Sequence, residues 1–211
     1  MRDPWDAAPA RVLVVGPEPN GDNNRPERPD MGAWFREANR ANTFHGNGRF
    51  FRRTIAQVAG ALGDSTAARD WALDGASQVD ADRWCAVLRY VDLKDRAGGA
   101  KANERDVLTA ALARIDAIVR FWCPETGDPA APTITVVQGN TAQHVFARAV
   151  LPVLRERRAK GLYVGALHPS GRASNADAAE CAAMLRREAR PFRESGRRWH
   201  ATHRWIEWDE K

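Results

Sequence analysis

His168 stands immediately after an apolar run, Leu162-Tyr163-Val164-Gly165-Ala166-Leu167, and opens the stretch His168-Pro169-Ser170-Gly171-Arg172-Ala173-Ser174-Asn175. Glu18 stands just past a second apolar run, Val12-Leu13-Val14-Val15-Gly16, in the segment Pro17-Glu18-Pro19-Asn20-Gly21-Asp22. An imidazole and a carboxylate presented at two strand ends can divide proton-transfer and electrostatic work on one bound molecule. Ligands of open α/β sheets gather at the carboxyl ends of the strands. The prolines on either side of Glu18 restrict its backbone, which favours it as the acidic group, with Asp22 a competing candidate in the same loop. Both groups also have plainer readings, His168 as a cap on the following helix and Glu18 as a solvated loop acid. The chain has no Gly-rich phosphate loop of the Walker or dinucleotide type, which weighs against an unrelated nucleotide or nucleoside hydrolase.

These groups need a sheet to hold them. Strand-like apolar runs recur at Val12–Val15, Trp84–Leu93, Ile134–Val137 and Leu162–Leu167. Helical spacing fills the intervals, with apolar residues three and four apart from Gly48 to Ala59, Asn103 to Phe121, Asn140 to Arg158 and Asn175 to Arg190. Asn103-Glu104-Arg105-Asp106 has the composition of a helix cap and an acidic first turn. Strands alternating with helices predict a three-layer α/β/α fold around a central four-stranded parallel sheet. The polar Pro17–Asn47 segment is long for a loop in a compact domain and reads as functional or mobile, apart from a short helical pattern around Met31–Ala38. Thr202–Trp208 alternates enough for a late edge strand.

At 211 residues the chain is expected to form one domain, 1–211, with a core large enough to need no staples. No apolar run approaches the ~20 residues that span a bilayer, and Met1-Arg2-Asp3-Pro4-Trp5-Asp6 offers no apolar signal core, so no membrane partner and no export are expected. Cys85, Cys123 and Cys181 are scattered and odd in number. That pattern favours reduced thiols in the cytoplasm over a disulfide framework, and excludes the usual metal-ligand spacings. No metal and no cofactor are expected. The net charge of +5 and pI near 9.5 permit nucleic-acid binding without requiring it, and an Arg- and Ala-rich composition can also reflect genomic base content.

Taken in order over residues 11–190, several segments together resemble the uracil-DNA glycosylase superfamily. They are Gly16-Pro17-Glu18-Pro19 after the first strand, Phe44-His45-Gly46 before a helix, and Tyr90-Val91-Asp92-Leu93-Lys94 followed by Arg96-Ala97-Gly98-Gly99. Val136-Val137-Gln138-Gly139 then leads into a helix, and His168-Pro169-Ser170 follows the last strand. The His-Pro-Ser loop is most similar to the single-strand-selective monofunctional branch, which carries an arginine at the position of Arg172. The chain departs from the family in three places. It lacks the four cysteines of the iron–sulfur branches. Glu18 and Asn20 stand where uracil-specific members carry Asp or Asn and Tyr or Gly. Asp92 stands at the position of the base-reading asparagine.

The resemblance implies a monomeric, monofunctional glycosylase that acts on DNA. In that frame Phe44 would stack on a flipped base, His168 would stabilise the leaving base, and Glu18 would position or activate water. Asn20 and Asp22 would line the base pocket. Arg172 and Ser174 would sit at the duplex, Arg172 filling the vacated stack, with Ser170 and Lys94 contacting phosphates. Plainer readings stand beside these: Phe44 as core, Lys94 and Arg172 as solvated basic residues, Asp92 as a cap on the Lys94–Gly99 loop. An ionised aspartate only accepts hydrogen bonds, which suits the exocyclic amino group of cytosine and not O4 of uracil. Ordinary cytosine cannot be the target in a host genome. A modified cytosine is therefore expected, in phage DNA and with a bulky polar substituent such as a sugar facing the Asn20–Asn24 stretch. Uracil excision in repair, or binding of a modified base without turnover, are the alternatives.

Overall fold

A computed structural model describes residues 4–17, 48–72, 83–84, 86–95, 103–169 and 174–195. Four short strands carry the architecture: β1 (Val12–Gly16), β2 (Leu88–Asp92), β3 (Ile134–Gln138) and β4 (Leu162–Ala166). All pair in parallel in the spatial order β2-β1-β3-β4. Their Val, Ile and Leu side chains are buried on both faces, as a parallel sheet covered by helices on each side requires. The expected three-layer α/β/α fold with a central four-stranded parallel sheet is therefore the fold of this chain.

A helical turn, α1 (Pro4–Ala7), precedes β1. The helices α2 (Gly48–Leu62) and α3 (Ser65–Ala72) lie between β1 and β2, and α4 (Glu104–Ala113) and α5 (Ile115–Val119) between β2 and β3. A single helical path from Asn140 to Glu156 joins β3 to β4. It runs as α6 (Asn140–Val145), a π-helical turn (Phe146–Val150) and α7 (Leu151–Glu156). The long α8 (Asn175–Ser195) follows β4. One face of the sheet packs on α2, α3 and α8, and the other on α4 to α7.

Local chemistry explains where the elements depart from their sequence outlines. The run expected to be strand from Trp84 begins only at Leu88, because the Val87 N–H turns back onto the Trp84 carbonyl at 3.2 Å. Asn103 caps α4 as expected, its side chain accepting from the Arg105 N–H at 3.0 Å. The helix predicted to run on to Phe121 breaks at Arg114, whose N–H bonds the Ala111 carbonyl at 3.2 Å and tightens the last turn. In the Asn140 helix, Pro152 has no N–H to donate one turn back. The wider π turn, in which the Leu151 N–H reaches the Phe146 carbonyl, falls directly before it. The Met31–Ala38 and Thr202–Trp208 readings lie outside the described residues.

Backbone pairing continues past the strands at their carboxyl edge. The Leu93 N–H donates to Gly16, the Lys94 N–H to Pro17 and the Gly139 N–H to Ala166, at 3.0, 3.1 and 2.8 Å. The main chain at this rim is thus held one or two residues beyond the sheet proper.

Candidate functional site at the carboxyl edge of the sheet

A glycine closes or follows each of the two inner strands, and side chains from β2 and from the segment after β4 lie over those glycines. Gly16 closes β1 in register with Asp92 of β2. A Cβ on Gly16 would fall onto the Tyr90 hydroxyl and 2.5 Å from Asp92 Oδ1, so only glycine leaves room for both groups. Gly139 follows β3 with φ +82°, in the left-handed region that favours glycine. A Cβ there would stand 3.0 Å from His168 Cβ. Strands lie ~4.8 Å apart, so β2 and β4 are separated by about 14 Å. Asp92 at the end of β2 and His168 just past β4 lie against these two glycines, beside the Tyr90 hydroxyl that bonds Gln138 across β1.

Tyr90 and Asp92 are two residues apart on β2 and so face the same side, the side covered by α2 and α8. Phe50, in the first turn of α2, joins the two halves of the rim. Its ring lies 6.1 Å from that of Tyr90 and 6.3 Å from that of His168, tilted to each. His168 is half-buried, and that burial holds its imidazole below the usual histidine range, which favours the neutral ring. Burial, and after it the Asp92 carboxylate, push the Tyr90 phenol well up, so it stays protonated.

Beneath the rim runs a chain of buried polar groups. The Tyr90 hydroxyl donates to Gln138 Oε1 at 3.4 Å, and Gln138 Nε2 donates to Gln57 Oε1 at 2.7 Å and to Thr54 Oγ1 at 3.2 Å. Gln57 Nε2 in turn donates to the Leu167 carbonyl at 2.8 Å. The Leu167 N–H reaches Cys181 Sγ at 3.4 Å, and burial raises that thiol, keeping it protonated. Arg53, only 3% exposed, donates to the Pro169 carbonyl at 3.1 Å and to Asn175 Oδ1 at 3.3 Å.

Of the residues singled out in the sequence, Asp92 and His168 come to the same edge of the sheet and the same side of it. Lys94 sits on that rim, its N–H closing the last bond to Pro17. Ser174 forms a reciprocal cap at the start of α8: its hydroxyl and N–H donate to Asp177 Oδ2 at 2.9 and 2.6 Å, and the Asp177 N–H donates to Ser174 Oγ at 3.1 Å. Those bonds draw the Asp177 carboxyl below its usual range, the Ser174 N–H first among them. Glu18, Asn20, Asp22, Phe44, Ser170 and Arg172 lie outside the described residues.

Sequence reasoning missed Phe50, Arg53, Gln57 and Gln138. Gln57 and Gln138 left one trace, a polar residue at a core position: Gln57 on the apolar face of a helix, Gln138 ending the apolar run Ile134-Thr135-Val136-Val137. Among the described residues no three His, Cys, Asp or Glu side chains gather as metal ligands, and no helix is long and apolar enough to cross a membrane. Chemically, the edge offers an acceptor carboxylate, a neutral imidazole and an aromatic ring gathered over two glycines. Comparison with protein-family models, curated proteins and solved structures matches this chain to none of them.

Proposed function

We propose that the protein is a monofunctional DNA glycosylase that takes a modified cytosine out of the stack and hydrolyses its N-glycosidic bond, leaving an abasic site. One observation carries this reading: Asp92 and a neutral His168 lie over Gly16 and Gly139 at the carboxyl edge of the sheet. Cleavage of the bond sends an electron pair into the base, whose carbonyl oxygen gains negative charge. A neutral imidazole N–H aimed at that oxygen stabilises it without first giving up a proton. Asp92 accepts from the exocyclic amino group, an interaction that O4 of uracil does not offer. Facing uracil, the carboxylate would leave both acceptors unsatisfied, costing about 1–3 kcal/mol.

The other roles follow from the family resemblance. Glu18 positions the water that attacks the sugar's anomeric carbon, with Asp22 as the competing acid. Phe44 stacks on the flipped base, and Asn20 and Asp22 face its substituent. Flipping costs a few kcal/mol, recovered by stacking and by hydrogen bonds to the base edge. Arg172 fills the vacated position in the duplex, and Ser170 and Lys94 approach phosphates. Ser174 contributes through the helix start that it caps. The protein acts as a monomer in the cytoplasm on phage DNA, and no cofactor enters the reaction.

The test is base release from duplexes carrying uracil, cytosine, 5-hydroxymethylcytosine or glucosylated 5-hydroxymethylcytosine, read as alkali-labile abasic sites. Release from a modified cytosine is expected. Robust uracil release with none from the modified cytosines sinks the reading and returns the protein to uracil repair. Salt-sensitive binding with no release from any duplex makes it a binding protein.

A further inference from the structure

We propose that Gln57 and Arg53 are positioning residues, holding the His168 turn in its working place by gripping the main-chain carbonyls on either side of it. The inference rests on the glycosylase reading for its kinetic consequence, and on geometry alone for the grip itself. His168 lies between Leu167, whose carbonyl accepts from Gln57 Nε2 at 2.8 Å, and Pro169, whose carbonyl accepts from Arg53 Nη1 at 3.1 Å. Arg53 also reaches Asn175 Oδ1 at 3.3 Å, so one guanidinium ties the end of the β4 segment to the start of α8.

The grip has a fixed polarity. A carbonyl can only accept, so the Gln57 amide must present its nitrogen to Leu167 and its oxygen to Gln138. Gln138 must then point its nitrogen at Gln57 and its oxygen at Tyr90, which donates. Turning any amide over breaks bonds at both of its ends, so each link holds the next. The Leu167 N–H is held as well, by Cys181 Sγ. Both polar groups of the residue before His168 are therefore bound by side chains from α2 and α8.

Packing alone does not call for these residues. Burying a guanidinium and an amide costs free energy that an apolar side chain on the same helix face would avoid. A displacement near 1 Å can cost about 100-fold in rate, and a hydrogen bond from His168 to a leaving base has that sensitivity.

The test compares Gln57→Met and Arg53→Lys with Gln143→Met. Gln143 is a second buried glutamine, which holds the Ala166 carbonyl at 2.8 Å and the Val137 carbonyl at 3.3 Å, within the sheet and before the Leu167–Pro169 turn. Two readouts are taken on the full chain: kcat and KM for base release from the glucosylated 5-hydroxymethylcytosine duplex, and the His168 ring signals in 15N-histidine NMR, assigned by their loss in His168→Ala. Gln57→Met should lower kcat about 10- to 100-fold with KM within two-fold, and shift or broaden the His168 ring signals. Arg53→Lys should keep part of the rate. Gln143→Met should lower Tm while leaving the ring signals in place. If Gln57→Met fails to fold, Gln57→Asn, which keeps the amide but withdraws it by one methylene, takes its place. Unchanged ring signals and kcat in both site variants, or equal changes in Gln143→Met, overturn the inference. A wild type that releases no base while the ring signals respond to Gln57→Met removes the glycosylase reading and upholds the grip.

Discussion

The two faces of the sheet differ in how far their buried polar groups are linked. On the α4–α7 face, Trp122, Phe146 and Tyr163 form an aromatic cluster with ring centroids 5.6–6.5 Å apart. Its indole N–H is satisfied by Thr135 Oγ1 at 2.9 Å, and its one orphan is the Tyr163 hydroxyl, which has no partner among the described residues. On the α2–α8 face, Tyr90, Gln138, Gln57 and Thr54 are linked into a single chain that ends on the main chain beside His168. One face is closed by packing and by Gln143, whose amide is bound to the Ala166 and Val137 carbonyls within the sheet. The other carries polar groups that an apolar core would not need, and they converge on the strand ends where Asp92 and His168 stand.

Substitutions can separate these two designs. Phe146 is fully buried, so Phe146→Ala should cost about 3–5 kcal/mol in denaturant unfolding. Base release per folded molecule should be preserved, and a specific loss of release would show that the packing face reaches the site. Gly16→Ala should cost less, about 1–3 kcal/mol from overpacking. Its methyl group displaces Tyr90 and Asp92, so base release should drop by more than ten-fold, measured at a temperature where the variant is folded.

The sharpest contrast comes from one substitution made on both faces. Tyr163→Phe removes an unsatisfied hydroxyl and should raise stability by about 1 kcal/mol, whereas Tyr90→Phe removes a bonded one and should lower it by about the same amount. Changes of the same sign would mean that the chain beneath the site is no better satisfied than the far core. A smaller effect should appear with pH. Burial depresses His168, so between about pH 6.5 and its folded value the unfolded chain binds more protons than the folded one. Stability should therefore fall on acidification from about pH 6.5 and level off once the folded imidazole is also protonated. His168→Gln should flatten that part of a plot of Tm against pH.

Much of the fold was legible because buried parallel strands write themselves as apolar runs. Val12–Gly16 and Ile134–Gln138 needed only their last residue added. His168 was legible for the same reason, since it stands where such a run stops, whereas Asp92 was singled out by the family resemblance within a run read as far as Leu93. The helix break at Arg114 was not, because no glycine or proline marks it. Gln57 and Arg53 were hidden for a different reason. Their partners are backbone carbonyls more than a hundred residues away, and every residue type carries such a carbonyl, so no pattern announces the pairing. Phe50 looked like one more apolar position on an amphipathic helix, and only the fold reveals that it lies between Tyr90 and His168.

Gly60 lies about one turn beyond Gln57 on α2, and a Cβ there would stand only 2.4 Å from the Ala182 carbonyl oxygen of α8. The contact sets how far apart the two helices stand, and the neighbour of Ala182 is Cys181, which holds Leu167. Gly60 thus bears on the same turn of α8 that holds the residue before His168. A methyl group added there would have to push the two helices apart, and the shift would pass through Cys181 to the segment that carries His168.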